Sequence, residues 1–268
     1  MCQLVRKLDT LLGLASQNTD TFRRLASWLV GNRLRILMYH SVSNNSKDPH
    51  AVAPSRFEQQ MLALAAKGHE VISLGEGLRR LQGRQSLRRY VVLTFDDAYR
   101  DFLTNALPVL ERFGYPATLF VPTGLVGGTA TWDSYDPTKP LMDWDELREV
   151  HRRGVTIASH TVTHARLTEC DERQLEYELR ASLDTLRVRL GDVFPALSYP
   201  GGFYGPRERL AARQAGYVCA VGVASRWGNG TETDPFALRR EKPMEFSRAT
   251  LWSRLGSRRN EVNGDCLL

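Results

Sequence analysis

Two short stretches of the chain concentrate residue types that can do chemistry. The first is Asp96-Asp97, which directly follows the apolar run 90–95. Adjacent carboxylates repel each other, and a nearby cation normally offsets that cost. The plain structural alternative has one Asp capping the next helix and the other facing solvent. The second stretch is Ser159-His160-Thr161-Val162-Thr163-His164, at the end of the run 155–159. Two histidines four apart lie on one face if the segment is helical, close enough to share a metal. In a chain with 6 His, that spacing points to ligands more than to a lone structural imidazole. An Asp from another strand end would add a third ligand and leave a position open for water. That is the arrangement of a catalytic site, whereas structural sites close with four ligands.

Elements of a definite kind must carry these groups. Short apolar runs with strand character lie at 36–39, 70–73, 90–95, 117–121, 155–159, 196–199 and 217–223. Segments of helical period fall between most of them, at 56–67, 101–113, 144–152, 172–190 and 206–214. Gly68, Gly114, Pro116, Gly154, Pro195 and Gly216 punctuate the switches. Strands alternating with helices imply a mostly parallel sheet, as a barrel or a doubly wound sheet. In either, functional groups gather at the C-terminal strand ends. The longest loop, 122–142, contains Trp132 and Tyr135 and reads either as a binding or lid element or as an insertion without chemistry. The expected organisation is an amphipathic helical extension over 1–33, one domain over 34–255 and a tail over 256–268.

The 268 residues are 42% hydrophobic and 25% charged, with 12 Pro and 4 Cys. That composition excludes collagen-like, disordered and disulfide-scaffold classes. The net charge of +6 suits an anionic neighbour, or simply an Arg-rich proteome. The basic residues are spread along the chain and no nucleic-acid motif accompanies them, so no nucleic-acid partner is expected. Cys2, Cys170, Cys219 and Cys266 form no CxxC pair, which points to inert thiols in a reducing compartment. No run of 18 apolar residues is present, and Asp9 interrupts the first apolar stretch, so neither a membrane span nor a secretion signal is expected. The extension, with Leu4, Leu8, Leu11, Phe22, Leu25 and Leu29 at helical spacing beside Arg23 and Arg24, reads as a helix docked on the domain. The competing reading is a peripheral contact with an anionic membrane surface. A cytoplasmic location, at most on the inner membrane face, follows as an expectation.

The two clusters carry a resemblance. Thr94-Phe95-Asp96-Asp97-Ala98 resembles the TFDDG signature of the polysaccharide deacetylases, carbohydrate esterase family 4 with its NodB-homology domain. Ser159 to His164 resembles that family's SHTxxH. Leu37-Met38-Tyr39-His40-Ser41-Val42, Trp144 with Asp145-Glu146-Leu147, Ser198-Tyr199-Pro200-Gly201-Gly202 and Gly216-Tyr217 add support, and order and spacing agree over about 34–245. The resemblance implies an α/β fold, a distorted (β/α)7-type barrel. It implies Asp97, His160 and His164 as ligands of a divalent metal, zinc first, with cobalt or nickel as alternatives. Asp96 becomes the general base, accepting a proton as metal-activated water attacks the acyl carbonyl. Pro200 and Gly201 would lie at the substrate, with the Gly201 N–H as oxyanion donor.

Three departures from the family pattern shape the remaining expectations. Ala98 replaces a Gly, which is tolerable if φ there is negative. Ser198 stands where the family has an Arg that orients the base. Leu238-Arg239-Arg240 replaces the motif that supplies a protonating His. Arg cannot serve as an ordinary acid, but Arg240 can orient Asp96 by a charge-assisted bond, or Arg239 or Arg240 can meet an anionic group of the substrate. His40, at the end of the first strand, becomes the candidate acid. Trp132, Tyr204 and Trp227 are the candidates for stacking on sugar rings, while His50, His69 and His151 read as surface or structural. The expected activity is metal-dependent removal of an N-acetyl or N-formyl group from an amino sugar of a polysaccharide or glycan precursor. The competing reading is an inactive glycan-binding domain on a deacetylase fold.

Overall fold

The computed structural model describes residues 32–223 and 228–243. The expected extension up to residue 31, Trp227 and the tail lie outside the described residues. Among the described residues, eight strands occur in the order β1 (Arg35–Tyr39), β2 (Glu70–Val71), β3 (Tyr90–Phe95), β4 (Ala117–Val121), β5 (Thr156–Ser159), β6 (Ala196–Ser198), β7 (Cys219–Val223) and β8 (Leu238–Arg240). The helices are α1 (Pro54–Ala66), α2 (Leu74–Gln82), α3 (Leu107–Phe113), α4 (Trp144–Arg152), α5 (Glu172–Leu190) and α6 (Pro206–Gln214). The sheet runs β1-β3-β4-β5-β6-β7-β8, with β2 paired to β3, and every pairing is parallel. A parallel bridge between Leu37 and Glu241 brings the chain after β8 back to β1. Met38 N–H donates to the Glu241 carbonyl at 2.9 Å, and Glu241 N–H to the Ile36 carbonyl at 2.9 Å. The sheet therefore curls almost into a closed barrel, the expected (β/α)7-type architecture.

Alternation along the strands sorts the core into two layers. Ile36, Val92, Phe120, Ala158, Ala196, Val221 and Leu238 form the inner one, and α2 packs Leu74, Leu78 and Leu81 against it. Gly77 of α2 is needed there, because a Cβ would stand 2.8 Å from Leu34 and 3.2 Å from Val92. The outer layer, with Leu37, Leu93, Phe95, Leu119 and Ile157, meets Phe57 and Met61 of α1, Leu107 and Leu110 of α3, Leu147 and Val150 of α4 and Leu179 and Leu183 of α5. Each such side chain contributes about 1.5–3 kcal/mol by leaving water, so these layers dominate stability over exposed ion pairs. Continuing the inner face by two residues toward the strand C-termini changes its chemistry. Val92 is followed by Thr94 and Asp96, Ala158 by His160, Ala196 by Ser198, and Leu238 by Arg240.

Four elements differ from the sequence expectation, and α2 is one of them, since none of the expected helical segments covers it. The run 70–73 is a strand only to Val71; Ser73 instead caps α2, accepting the Glu76 N–H at 3.1 Å. The expected helix over 101–113 opens with a π-helical stretch, Phe102–Ala106, in which the Leu107 N–H reaches back to the Phe102 carbonyl. Pro108 follows and has no N–H to continue an ordinary ladder. β8 escaped hydropathy patterning because two of its three residues are Arg, yet it alternates buried, exposed, buried. Among the described residues, no helix is long and apolar enough to cross a membrane.

Candidate active site

The polar ends of the inner face meet at one cavity, lined among others by His40, Asp96, Asp97, His160, His164 and Arg240. Asp96 is clamped by Arg240 from 144 positions away: Nη1 donates to Oδ1 and Nη2 to Oδ2, each at 2.7 Å. The same guanidinium donates to Ser198 Oγ at 2.8 Å, Thr94 Oγ1 at 3.3 Å and the Gly222 carbonyl at 3.3 Å. Both side chains of the pair are buried, at 1% and 4% exposure. Burial pushes the Asp96 carboxyl up, but the charge and hydrogen bonds of Arg240 outweigh it and hold the pKa below the ordinary carboxylate value. Ser198, at the place of the absent family Arg, is a hydrogen-bond partner of Arg240. The contact to Asp96 that the sequence reading allowed for Arg240 is thus present, made from β8.

Asp97, His160 and His164 form a second cluster, with ligand atoms within 4.8 Å of one another. Asp97 Oδ1 lies 3.4 Å from Nε2 of both histidines. The histidines do not share a helix face. They sit on an irregular loop whose Thr161 (φ 66) and His164 (φ 59) are left-handed, which folds the chain back so that both rings reach Asp97. Glu178 of α5 holds that loop, accepting the N–H groups of Val162 (2.8 Å) and Thr163 (2.9 Å) and the Thr163 hydroxyl (2.6 Å). One turn on, Ser182 Oγ donates to the Thr161 carbonyl at 2.9 Å. Gly124 lies against the loop so closely that a Cβ would meet Val162 at 2.8 Å. The His160 Nδ1–H donates to the Ser198 carbonyl at 2.8 Å, which turns Nε2 toward Asp97. Trp132 stacks on the His164 ring, centroids 4.4 Å apart and 18° from parallel.

These residues fit a divalent metal. Asp97 Oδ1 is buried without a hydrogen-bond partner, an orphaned acceptor between two imidazole nitrogens. Burial raises the Asp97 carboxyl, yet the imidazoles of His160, His164 and His40 around it bring it far below the usual range. Burial pushes His164 down to about 4, so that ring is neutral at pH 7 and able to ligate. One carboxylate and two imidazoles suit zinc and its neighbours better than magnesium or calcium.

Other expectations are corrected. Ala98 has φ 57, next to Asp97 at φ 76, so the backbone is left-handed and the negative φ that would make Ala costless there is not present. The turn is held by Met142 N–H donating to the Ala98 carbonyl at 2.9 Å, and the buried methyl group offsets the strain of about 1 kcal/mol. Tyr204 is not among the cavity's lining residues; it stacks on Tyr199 at 4.5 Å, over Gly222, whose missing Cβ makes room for the ring. Pro200 is likewise outside the lining, buried at the start of a 3-10 turn, while Gly201 lines the cavity. His50 is neither a surface nor a merely structural group: it lines the cavity 5.0 Å from His40, ring to ring. Tyr99, Asp133 and Lys242 also line it, and sequence reasoning missed them. Burial lowers the His40 pKa more than Asp97 and Asp96 raise it.

The profile of the polysaccharide deacetylase family matches residues 83–220. The chain is 30% identical over 199 residues to YxkH of Bacillus subtilis (strain 168), itself classed as a polysaccharide deacetylase, covering 72% of this chain and 67% of that one. It is 31% identical over 135 residues to the poly-beta-1,6-N-acetyl-D-glucosamine N-deacetylase of Escherichia coli (strain K12), covering 47% of this chain and only 20% of that longer protein. The Streptococcus pyogenes deacetylase PplD, solved in complex with acetate, superposes with a TM-score of 0.73 at 25% identity, over 84% of this chain and 98% of that one. With the paired Asp and His motifs converging on one cavity of a matching barrel, the chain belongs to the polysaccharide deacetylase family.

Proposed function

We propose that the protein is a metal-dependent hydrolase that removes an N-acetyl, or N-formyl, group from an amino sugar of a polysaccharide or glycan precursor. The observation that carries this reading is the juxtaposition of the orphaned Asp97 Oδ1, flanked by His160 and His164, with an Asp96 held ionised by Arg240. The names of the relatives, one acting on poly-N-acetylglucosamine, support the substrate class. Asp97, His160 and His164 would hold the ion, zinc first, with cobalt or nickel as alternatives. A divalent ion there supplies Lewis-acid polarisation of the acyl carbonyl and activation of water.

The chain's own residues supply the proton traffic. Asp96 takes the proton of the attacking water, and Arg240 keeps its carboxylate ionised and in register for that task. The Gly201 N–H is the proposed donor to the developing oxyanion. As the C–N bond breaks, His40 gives a proton to the leaving amine. Its lowered pKa leaves the ring neutral at rest, so the proton it passes on is the one Asp96 took from the attacking water. The inactive glycan-binding alternative draws on the missing family Arg and the missing protonating His; the Arg240–Asp96 ion pair answers the first of these, and the second rests on His40 as the proposed acid.

The test needs two readings on the full chain: metal content by elemental analysis and acetate release from an N-acetylglucosamine oligosaccharide. Wild type is expected to carry one divalent ion and release acetate. His160→Ala is expected to lose the ion, and Asp96→Asn to keep it while losing about 10²–10⁴ in rate. An Asp96→Asn variant with the wild-type rate would sink the mechanism.

A further inference from the structure

One buried ammonium joins three of the loops around the cavity. Lys139, in the loop between β4 and α4, places Nζ 3.0 Å from Asp48 Oδ2, 3.9 Å from Asp101 Oδ2 and 3.9 Å from the centre of the Tyr99 ring. The Lys139 and Asp48 side chains are 8% and 1% exposed. The partners lie on two walls, Asp48 on the loop after β1 and Tyr99 with Asp101 on the turn after β3, and Lys139 itself belongs to the third. Asp48 accepts the His50 N–H at 2.7 Å, so it sets the loop that carries His50. Asp101 accepts Ser41 Oγ at 2.5 Å and the Val42 N–H at 3.1 Å, joining the turn after Asp96-Asp97 to the segment after His40. Tyr99 donates its hydroxyl to Asp133 Oδ2 at 3.1 Å, and Asp133 Oδ1 accepts the Tyr135 N–H at 2.8 Å. The Tyr135 ring then returns to His50, 6.3 Å between centroids.

The charge arithmetic explains why the tie is specific. A lone buried ammonium costs several kcal/mol, and it is tolerated only where opposite charge and further hydrogen bonds meet it. Here two carboxylates and an aromatic face meet it, and the second carboxylate is satisfied by Ser41 and Val42. None of these atoms belongs to the Asp96–Arg240 clamp or to the Asp97–His160–His164 cluster.

We infer that Lys139 is a positioning residue for the substrate walls: its buried ion pairs lock the loops bearing His50, Tyr99 and Trp132 to Tyr135 together, and so set substrate affinity without acting on the chemical step. The affinity half of this inference rests on the proposed deacetylase reading; the locking half does not. Lys139→Met keeps the stem and deletes the charge. Asp48→Asn/Lys139→Met also deletes a stranded carboxylate, and it carries the test if the single variant folds poorly.

Backbone hydrogen exchange on the full chain is expected to speed up about tenfold in 41–52, 97–103 and 128–141 together, with β4 and β5 unchanged. Metal content stays at the wild-type level in both variants. With an N-acetylglucosamine oligosaccharide, KM rises about tenfold while kcat stays within about threefold. Faster exchange confined to 136–141, loss of metal, a fall in kcat at constant KM, or global unfolding of both variants would each overturn the inference. If wild type releases no acetate from such glycans, the functional reading fails, and the exchange pattern still decides whether Lys139 locks the walls.

Discussion

At the scale of single residues, the site depends on charge compensation in a buried place. Asp96 keeps its charge only because Arg240 offers a planar fork with two parallel donors and a third bond to Ser198. Lys would present one point charge, so it cannot reproduce both bonds. Arg240→Met is expected to strand a buried carboxylate, destabilise the fold by about 3–5 kcal/mol and raise the Asp96 pKa. Arg240→Lys is expected to keep more of the stability but lose most of the rate, with the acidic limb of the pH–rate profile moving to higher pH. Denaturant titration and a pH–rate series on the two variants check this. A Lys variant with wild-type rate and profile would remove Arg240 from the mechanism.

At the scale of elements, α5 is the rigid part that shapes the histidine loop. Glu178 and Ser182 lie one turn apart on its buried face and satisfy two backbone N–H groups and one carbonyl of a loop that contains two left-handed residues. Such support is what holds ligands at the right angle, and losing it typically costs about 10–100-fold in metal affinity. Glu178→Ala is expected to weaken zinc binding by about that factor, while Glu178→Gln, whose amide oxygen still accepts the two N–H groups, restores most of it. Competition titration with a zinc chelator reads both. Equal zinc affinity in wild type and Glu178→Ala would mean that the loop holds its shape unaided.

At the scale of the whole molecule, proton linkage makes the fold sensitive to acid at groups outside the site. Burial raises Glu208, but its bonds from Arg207 and from backbone N–H groups, including that of Gly205, leave it below the usual glutamate value. Asp234 is likewise raised by burial and then lowered further by the Phe236 N–H, Arg209 and Arg213. A carboxylate whose folded pKa is depressed stabilises above its unfolded value, near 4, and loses that contribution as pH falls through the folded value. His69, lowered chiefly by burial, works in the same direction: the unfolded chain takes the proton first as pH drops below about 6.5. The melting temperature is therefore expected to fall from pH 7 to pH 3, and Glu208→Gln to flatten the part of the curve below about pH 4.5. Circular dichroism melts across that range check it, and an unchanged slope in the variant would remove Glu208 from the account.

The sequence by itself determined the parts that depend on local pattern. Strands such as 90–95 and 117–121 and helices such as 144–152 and 172–190 were legible because hydrophobic period and Gly or Pro punctuation act over a few residues. The candidate ligands Asp97, His160 and His164 were legible through the family resemblance because the two motifs are short and contiguous. Ser73 with Glu76 three residues on was a readable cap that announces α2, though it stood at the end of a run with strand character. Only the tertiary structure decided how His160 and His164 meet Asp97, since left-handed turns leave no hydropathy signal in Thr or His. It also decided that β8 exists, that His50 and Tyr99 face the cavity and Tyr204 does not, and that Lys139 joins three loops. These contacts link residues tens of positions apart along the chain, and their energy lies in burial and charge pairing that forms only once the barrel has closed.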